Sequence, residues 1–154
     1  MSRVRDLRVR QLDEALAAFE GLRERPVPRE GWVKAVRTAL GMSLRQLAER
    51  AGLSKSAVVS IENNESRQTV QLDSLSTVAN AMGCDLVYAI VPRAGSLAGT
   101  LERQAERIAQ ERVRRVSDSM DLEAQGIVRE ERARQVREAA AEILRDRGQS
   151  FWDA

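Results

Sequence analysis

Lys55, Ser56, Val59 and Ser60 are spaced so that a helix would set them side by side on one face. Their chemistry suits the reading of base edges. Lysine donates to guanine O6 or N7, serine serves either kind of base, and a valine can touch the methyl group of thymine. Just upstream, Ser54 has the side chain of a helix N-cap, and Ser43 followed by Gln46 is a capping box at the start of an earlier helix. Backbone amides at two such helix starts, with the two serine hydroxyls, suit phosphate oxygens.

These side chains need a scaffold, and the residues between them supply one. Leu44, Leu47 and Ala48 face a core from the first helix, and the small Ala48 lets a second helix come close. Ala51-Gly52-Leu53 reads as a tight turn, with Gly52 left-handed and Leu53 plugging the angle between the helices. Val58 and Ile61 then point inward from the second helix. Two short helices joined by a glycine turn make a helix-turn-helix, whose second helix enters the major groove by its first turn. The candidate DNA-contacting set is Ser43, Arg45, Gln46, Ser54, Lys55, Ser56, Val59, Ser60, Asn63, Asn64 and Arg67, with a recognition helix over 54–62. Asn63, Asn64, Ser66 and Arg67 are expected to form a polar loop that reaches the flanking phosphates. Lys34 and Arg37, on the first helix of the domain, are balanced between phosphate contact and ordinary surface charge.

Around this centre the chain reads as mainly α. Residues 3–25 predict an amphipathic helix with Val4, Leu7, Leu12, Ala15, Leu16 and Phe19 on its apolar stripe, ended by Pro26-Val27-Pro28. Residues 31–83 hold four short helical patterns, and Trp32 is expected to be a core or hinge residue. Cys84-Asp-Leu-Val-Tyr-Ala-Ile-Val91 is dense in β-branched and aromatic residues and predicts one strand. A lone strand leaves its backbone groups unpaired, and no second comparable run exists. The simplest partner is a second copy of the chain, which makes Leu86, Val87, Tyr88, Ala89, Ile90 and Val91 the expected dimer interface. Beyond it, Leu97, Leu101, Ala105, Ile108, Val113, Val116 and Met120 form one helical stripe, with a break at Gly126. A last helix near 128–147 turns Ala133, Val136, Ala140 and Ile143 inward, with Gly148 at its C-cap. The expected division is 1–28 (N-terminal amphipathic helix), 29–92 (DNA-binding domain ending in the strand) and 93–154 (C-terminal helical hairpin). Two readings stay open for the hairpin: it docks a protein partner, or it completes a dimer core.

Composition narrows the chemistry. The chain has 154 residues, 43% hydrophobic and 31% charged, the range of a globular protein. It contains no histidine, so a Ser-His-Asp triad, a Cys-His pair and a His-ligated metal are excluded. The single cysteine, Cys84, forms no intramolecular disulfide and no zinc knuckle; it reads as a small packed residue. No enzyme and no cofactor is expected. The N-terminus is basic but lacks the apolar core of a signal peptide, and no run reaches the length of a membrane span, so a cytoplasmic protein is expected. A net charge of +2 is too small to argue for a polyanionic partner, and the motif must carry that case. Arginine and glutamate alternate from Glu102 to Arg115 at spacings suited to pairing along a solvated face.

Residues 31–83 resemble the Cro/repressor-type, XRE-like, lambda-repressor-like helix-turn-helix domain. Ser43 with Leu47-Ala48, Gly52-Leu53-Ser54, Ile61-Glu62, and Leu75 with Ala79 and Ala81-Met82-Gly83 carry the likeness. Where that pattern commonly has a glycine after Glu62, this chain has Asn63-Asn64-Glu65. Gly31–Ser43, the Cys84–Pro92 stretch and Phe151-Trp152-Asp153 extend the likeness over nearly the whole chain to the mobile mystery protein A family. That resemblance implies a DNA-binding regulator encoded beside a Fic-domain partner, with an antitoxin-like or autoregulatory role. The leading expectation is a homodimeric repressor on a palindromic operator in double-stranded DNA. The alternative is a protein-interaction antitoxin that blocks a toxin enzyme through its terminal helices.

Overall fold

The computed structural model describes residues 2–117 and 127–153. Seven α-helices are found among them: α1 (Ser2–Ala17), α2 (Trp32–Ala39), α3 (Leu44–Ala51), α4 (Lys55–Ser66), α5 (Leu72–Ala81), α6 (Leu97–Ser117) and α7 (Ile127–Arg145). Short 3₁₀ turns cover Glu20–Leu22 and Gln149–Trp152. Met120 and Gly126, expected at a helix end and a break, lie outside the described residues. The chain divides into two compact units, Glu24–Ala89 and Met1–Arg23 with Ile90–Ala154.

The first unit packs α2 to α5 around Leu47, Val58 and Val78, which are fully buried, with Val33 and Ala48 beside them. Burying side chains of this size stabilises by about 1.5–3 kcal/mol each. All four helices stop the same way. The amide just after the turn's left-handed residue reaches back to a carbonyl five residues earlier: Met42 to Arg37, Leu53 to Ala48, Thr69 to Asn64 and Cys84 to Ala79, at 2.9–3.0 Å. This arrangement requires a left-handed residue in the turn. Gly41, Gly52 and Gly83 take that role in three helices, and Gln68 takes it in the fourth at φ 60°. Trp32 is exposed rather than part of this core.

In the second unit α6 and α7 pack along each other through Ala105, Ile108, Ala109, Ala140 and Ile143, and Phe151 closes the cluster. Gln104 Nε2 donates to the Phe151 carbonyl at 2.7 Å and holds the last turn in place. Val136 is half-buried as part of the inward stripe, but Ala133 and Val116 are exposed. Gly148 lies at φ −75°, so it is the N-cap of the closing 3₁₀ turn instead of a left-handed C-cap. The helix over 3–25 is shorter than expected: α1 stops at Ala17 and tightens into 3₁₀ bonds from Phe19 to Leu16 and from Leu22 to Phe19. Its inward face is also different. Val4, Leu7 and Leu12 are exposed, while Asp6, Val9, Asp13 and Leu16 are half-buried. The reason is polar. Asp13 accepts from the Leu97 and Ala98 amides at 2.6 and 3.2 Å and so caps α6, and Asp6 pairs with Arg147. An aspartate that satisfies a helix start turns its own face inward regardless of where the leucines fall.

No strand is found among the described residues. Residues 85–91 make no backbone–backbone hydrogen bond with the described residues. A ladder needs a second strand, so pairing across a dimer goes beyond what one chain contains. Among the described residues, no helix is long and apolar enough to cross a membrane.

Candidate nucleic-acid interface

The capping box at the start of α3 forms as expected. Gln46 N donates to Ser43 Oγ at 3.2 Å, and Ser43 N donates to Gln46 Oε1 at 2.8 Å. Gln46 thereby spends its carbonyl on the cap and keeps its side-chain NH₂ as an outward donor. Arg45 is exposed and meets Glu49 at 3.4 Å, a loose i,i+4 pair of small energetic weight. At the other end Gly52 is left-handed at φ 66°, and Arg50 Nε donates to the Ala81 carbonyl at 2.7 Å, fastening α3 to the end of α5.

Ser54 caps α4 by accepting from the Ala57 amide at 3.1 Å, and its hydroxyl lies 3.0 Å from that of Ser56. From there the helix has two distinct faces. Val58 and Glu62 are buried, and Ile61 and Glu65 are half-buried. Lys55, Ser56, Val59, Ser60, Asn63 and Asn64 are exposed along the opposite stripe. The structure thus brings Ser54, Lys55, Ser56, Val59, Ser60, Asn63 and Asn64 onto one helix, with Ser43, Arg45 and Gln46 exposed at the start of the helix before it.

The polar loop expected at 63–67 is corrected. α4 runs on to Ser66, so Asn63 and Asn64 belong to its last turns and Arg67 is its C-cap. With no glycine after Glu62, nothing stops the helix until Gln68 adopts the left-handed conformation. α4 is accordingly longer than the expected recognition helix over 54–62, and its exposed stripe gains a further turn.

Arg37 is also corrected: it is a buried brace with no role on the surface. Its Nε donates to Glu62 Oε1 at 2.6 Å, Nη2 to Glu62 Oε2 at 3.2 Å, and Nη1 to the Met42 carbonyl at 2.9 Å. Arg37 is 8% exposed and Glu62 7%. A planar guanidinium and a carboxylate joined in this two-pronged way fix the rotation of α4 about its axis, and with it the direction of the exposed stripe. Lys34 stays exposed.

Glu65 is a second structural tie that its sequence position does not reveal. Its two carboxylate oxygens accept from the Trp32 and Val33 amides, each at 2.9 Å, capping α2 from the far end of α4. Gly31 makes room for it: φ is 84°, and a Cβ there would stand 2.6 Å from Glu65 Oε2. Arg37–Glu62 and Glu65 together tie α2 to α4 at two levels, and the Asn-Asn-Glu run that departs from the repressor pattern supplies the second tie.

Residues 33–88 match the family of helix-turn-helix domains. The middle of the chain is therefore a helix-turn-helix domain of the XRE type, and such a domain marks a DNA-binding regulator. Searches of curated proteins and of solved structures found no match.

Proposed function

We propose that the chain is a homodimeric, sequence-specific repressor that acts on its own promoter, with α4 lying in the major groove. The observation that carries this reading is the division of α4 into a braced face and an open one. Arg37 and Glu62 fix the inward side, and Lys55, Ser56, Val59 and Ser60 stand clear on the outward side. Lys55 suits a guanine, Ser56 and Ser60 either base type, and Val59 a thymine methyl. Ser43, Arg45 and Gln46 suit phosphates on one flank of the groove, and Asn63, Asn64 and Arg67 suit those beyond it.

The dimer part of the reading rests on residues 86–91. Val87, Tyr88 and Ile90 are 68%, 69% and 86% exposed, in an irregular run whose backbone groups find no backbone partner among the described residues. Pairing of Leu86–Val91 with the same segment of a second copy would satisfy both, and would set two recognition helices about 34 Å apart on a palindromic operator. A gel-shift titration on the DNA upstream of the gene tests the whole. A shift that depends on a palindrome is expected, and no shift at moderate salt would remove the reading. The antitoxin role toward a Fic-domain partner, which the family resemblance implies, is separable; copurification of the full chain with the neighbouring gene product tests it.

A further inference from the structure

The groove between α6 and α7 holds a cluster of cations that the helix-turn-helix does not explain. Arg114 of α6 and Arg129, Arg132 and Arg137 of α7 line it, all exposed, and none forms a hydrogen bond or ion pair with a described residue. On the same helices Arg107 is engaged with Gln104 and Glu111, and Arg134 with Glu131; what sets the four apart is that they converge on one groove. Spacing gathers the four into the groove, since Arg114 continues the stripe of Glu106 and Gln110, while on α7 Arg129, Arg132 and Val136 repeat at helical intervals and Arg137 follows Ala133 by one turn. Stability alone would not choose this arrangement. Like charges repel, and Arg129 sits in the first turn of α7, where the helix dipole favours an anion. Glu130, in that same turn, does not line the groove.

We propose that this groove docks an acidic, amphipathic helix of a protein partner. Three features select that occupant. The rims are cationic, so the partner's flanks are glutamate- or aspartate-rich. The floor carries Ala133 and Val136, which call for an apolar stripe between those flanks; a nucleic-acid duplex has no side chain to fill such a floor. Glu106 is the one carboxylate among the described lining residues, so their charge is more positive toward Arg114, Arg129 and Arg132 and the partner helix lies in one direction.

The test titrates the full-length protein with three probes: a helical peptide bearing a leucine stripe flanked by glutamates, poly-L-glutamate, and a short duplex of random sequence. The peptide is expected to bind, more tightly than poly-L-glutamate, and to weaken roughly tenfold in the double variant Arg114→Glu/Arg132→Glu. Arg103→Glu, exposed on α6 outside the groove, should leave peptide binding as it was. The milder pair Arg114→Gln/Arg132→Gln should weaken it in the same direction if the reversal proves ill-folded by circular dichroism. No peptide binding, or binding indifferent to the groove arginines, overturns the proposal. Equal binding of poly-L-glutamate would reduce the groove to a polyanion trap, and duplex binding lost on charge reversal would assign it to nucleic acid; either result also overturns it.

Discussion

Arg37 and Glu62, one on α2 and one on α4, hold each other through paired hydrogen bonds of 2.6 and 3.2 Å with both side chains almost wholly buried. The guanidinium has a further bond to the Met42 carbonyl, so the pair also anchors the turn that leads into α3. This one contact links α4, which carries the exposed Lys55, to α2, which supports it from behind. It makes the outward stripe of α4 a rigid feature of the fold.

Breaking that pair from one side should be costly. Arg37→Ala leaves an unpaired buried carboxylate and Glu62→Ala an unpaired buried guanidinium, each expected to destabilise by about 3–5 kcal/mol. Replacing both with apolar residues of similar volume, Arg37→Met with Glu62→Leu, should recover most of that loss. Urea unfolding of the native chain, the single variants Arg37→Met and Glu62→Leu, and their combination measures the cycle. A loss in the double variant equal to the sum of the single losses would show that the pair does not couple.

Gln68 occupies a left-handed position that glycine fills in the three sister turns at Gly41, Gly52 and Gly83. A Cβ in that conformation costs about 1 kcal/mol. Gln68→Gly should therefore raise stability by about that amount, read as a higher midpoint in thermal or urea unfolding. A lower midpoint would mean that the glutamine side chain gives more than its backbone costs.

Gly31 and Glu65 form a single device. Glu65→Ala removes the cap on Trp32 and Val33 and should cost about 1 kcal/mol. Gly31→Ala brings a methyl group against the same carboxylate at positive φ and should cost about 1–3 kcal/mol. Because the second substitution acts largely through the first residue, the double variant should lose less than the sum. Strict additivity in unfolding measurements would show that the two act separately.

Much of the helix-turn-helix was legible because its signals are local. Ser43 and Gln46 are three residues apart, Gly52 marks its own turn, and Val58 and Ile61 follow the helical period. Arg37–Glu62 and the Glu65 cap span 25 and 32 residues, and no local pattern announces either. The α1 face was misread for a related reason: Leu7 and Leu12 look outward because Asp6 and Asp13 find partners at Arg147 and at the start of α6. Helix length at 63–67 turned on a missing glycine, whose stop signal passed to Gln68, a residue type with no such reputation.

Residues 86–91 give a prediction about assembly. Tyr88→Asp with Ile90→Lys places charges on the exposed run that the dimer would bury, and should convert the protein to monomer in sedimentation-velocity measurements. Affinity for a two-half-site DNA should fall with it, while the fold of each protomer by circular dichroism should not change. An unchanged dimer would place the interface elsewhere.

On the DNA side, the exposed residues of α4 separate into two kinds. Arg67→Ala should weaken binding nearly uniformly across sequences and reduce the slope of log affinity against log salt by about 1. A change of sequence preference in this variant would instead make Arg67 a reader of bases.

The claim that the open stripe of α4 reads bases is tested most directly by selecting preferred duplexes from a random pool with the native chain and with Lys55→Ala. The native protein should recover a palindrome with half-sites about one helical turn apart, and the variant should lose about 1–3 kcal/mol on that duplex and relax its preference at one symmetric pair of positions. No enriched sequence with the native chain, or the same sequence recovered with equal affinity by the variant, would contradict it.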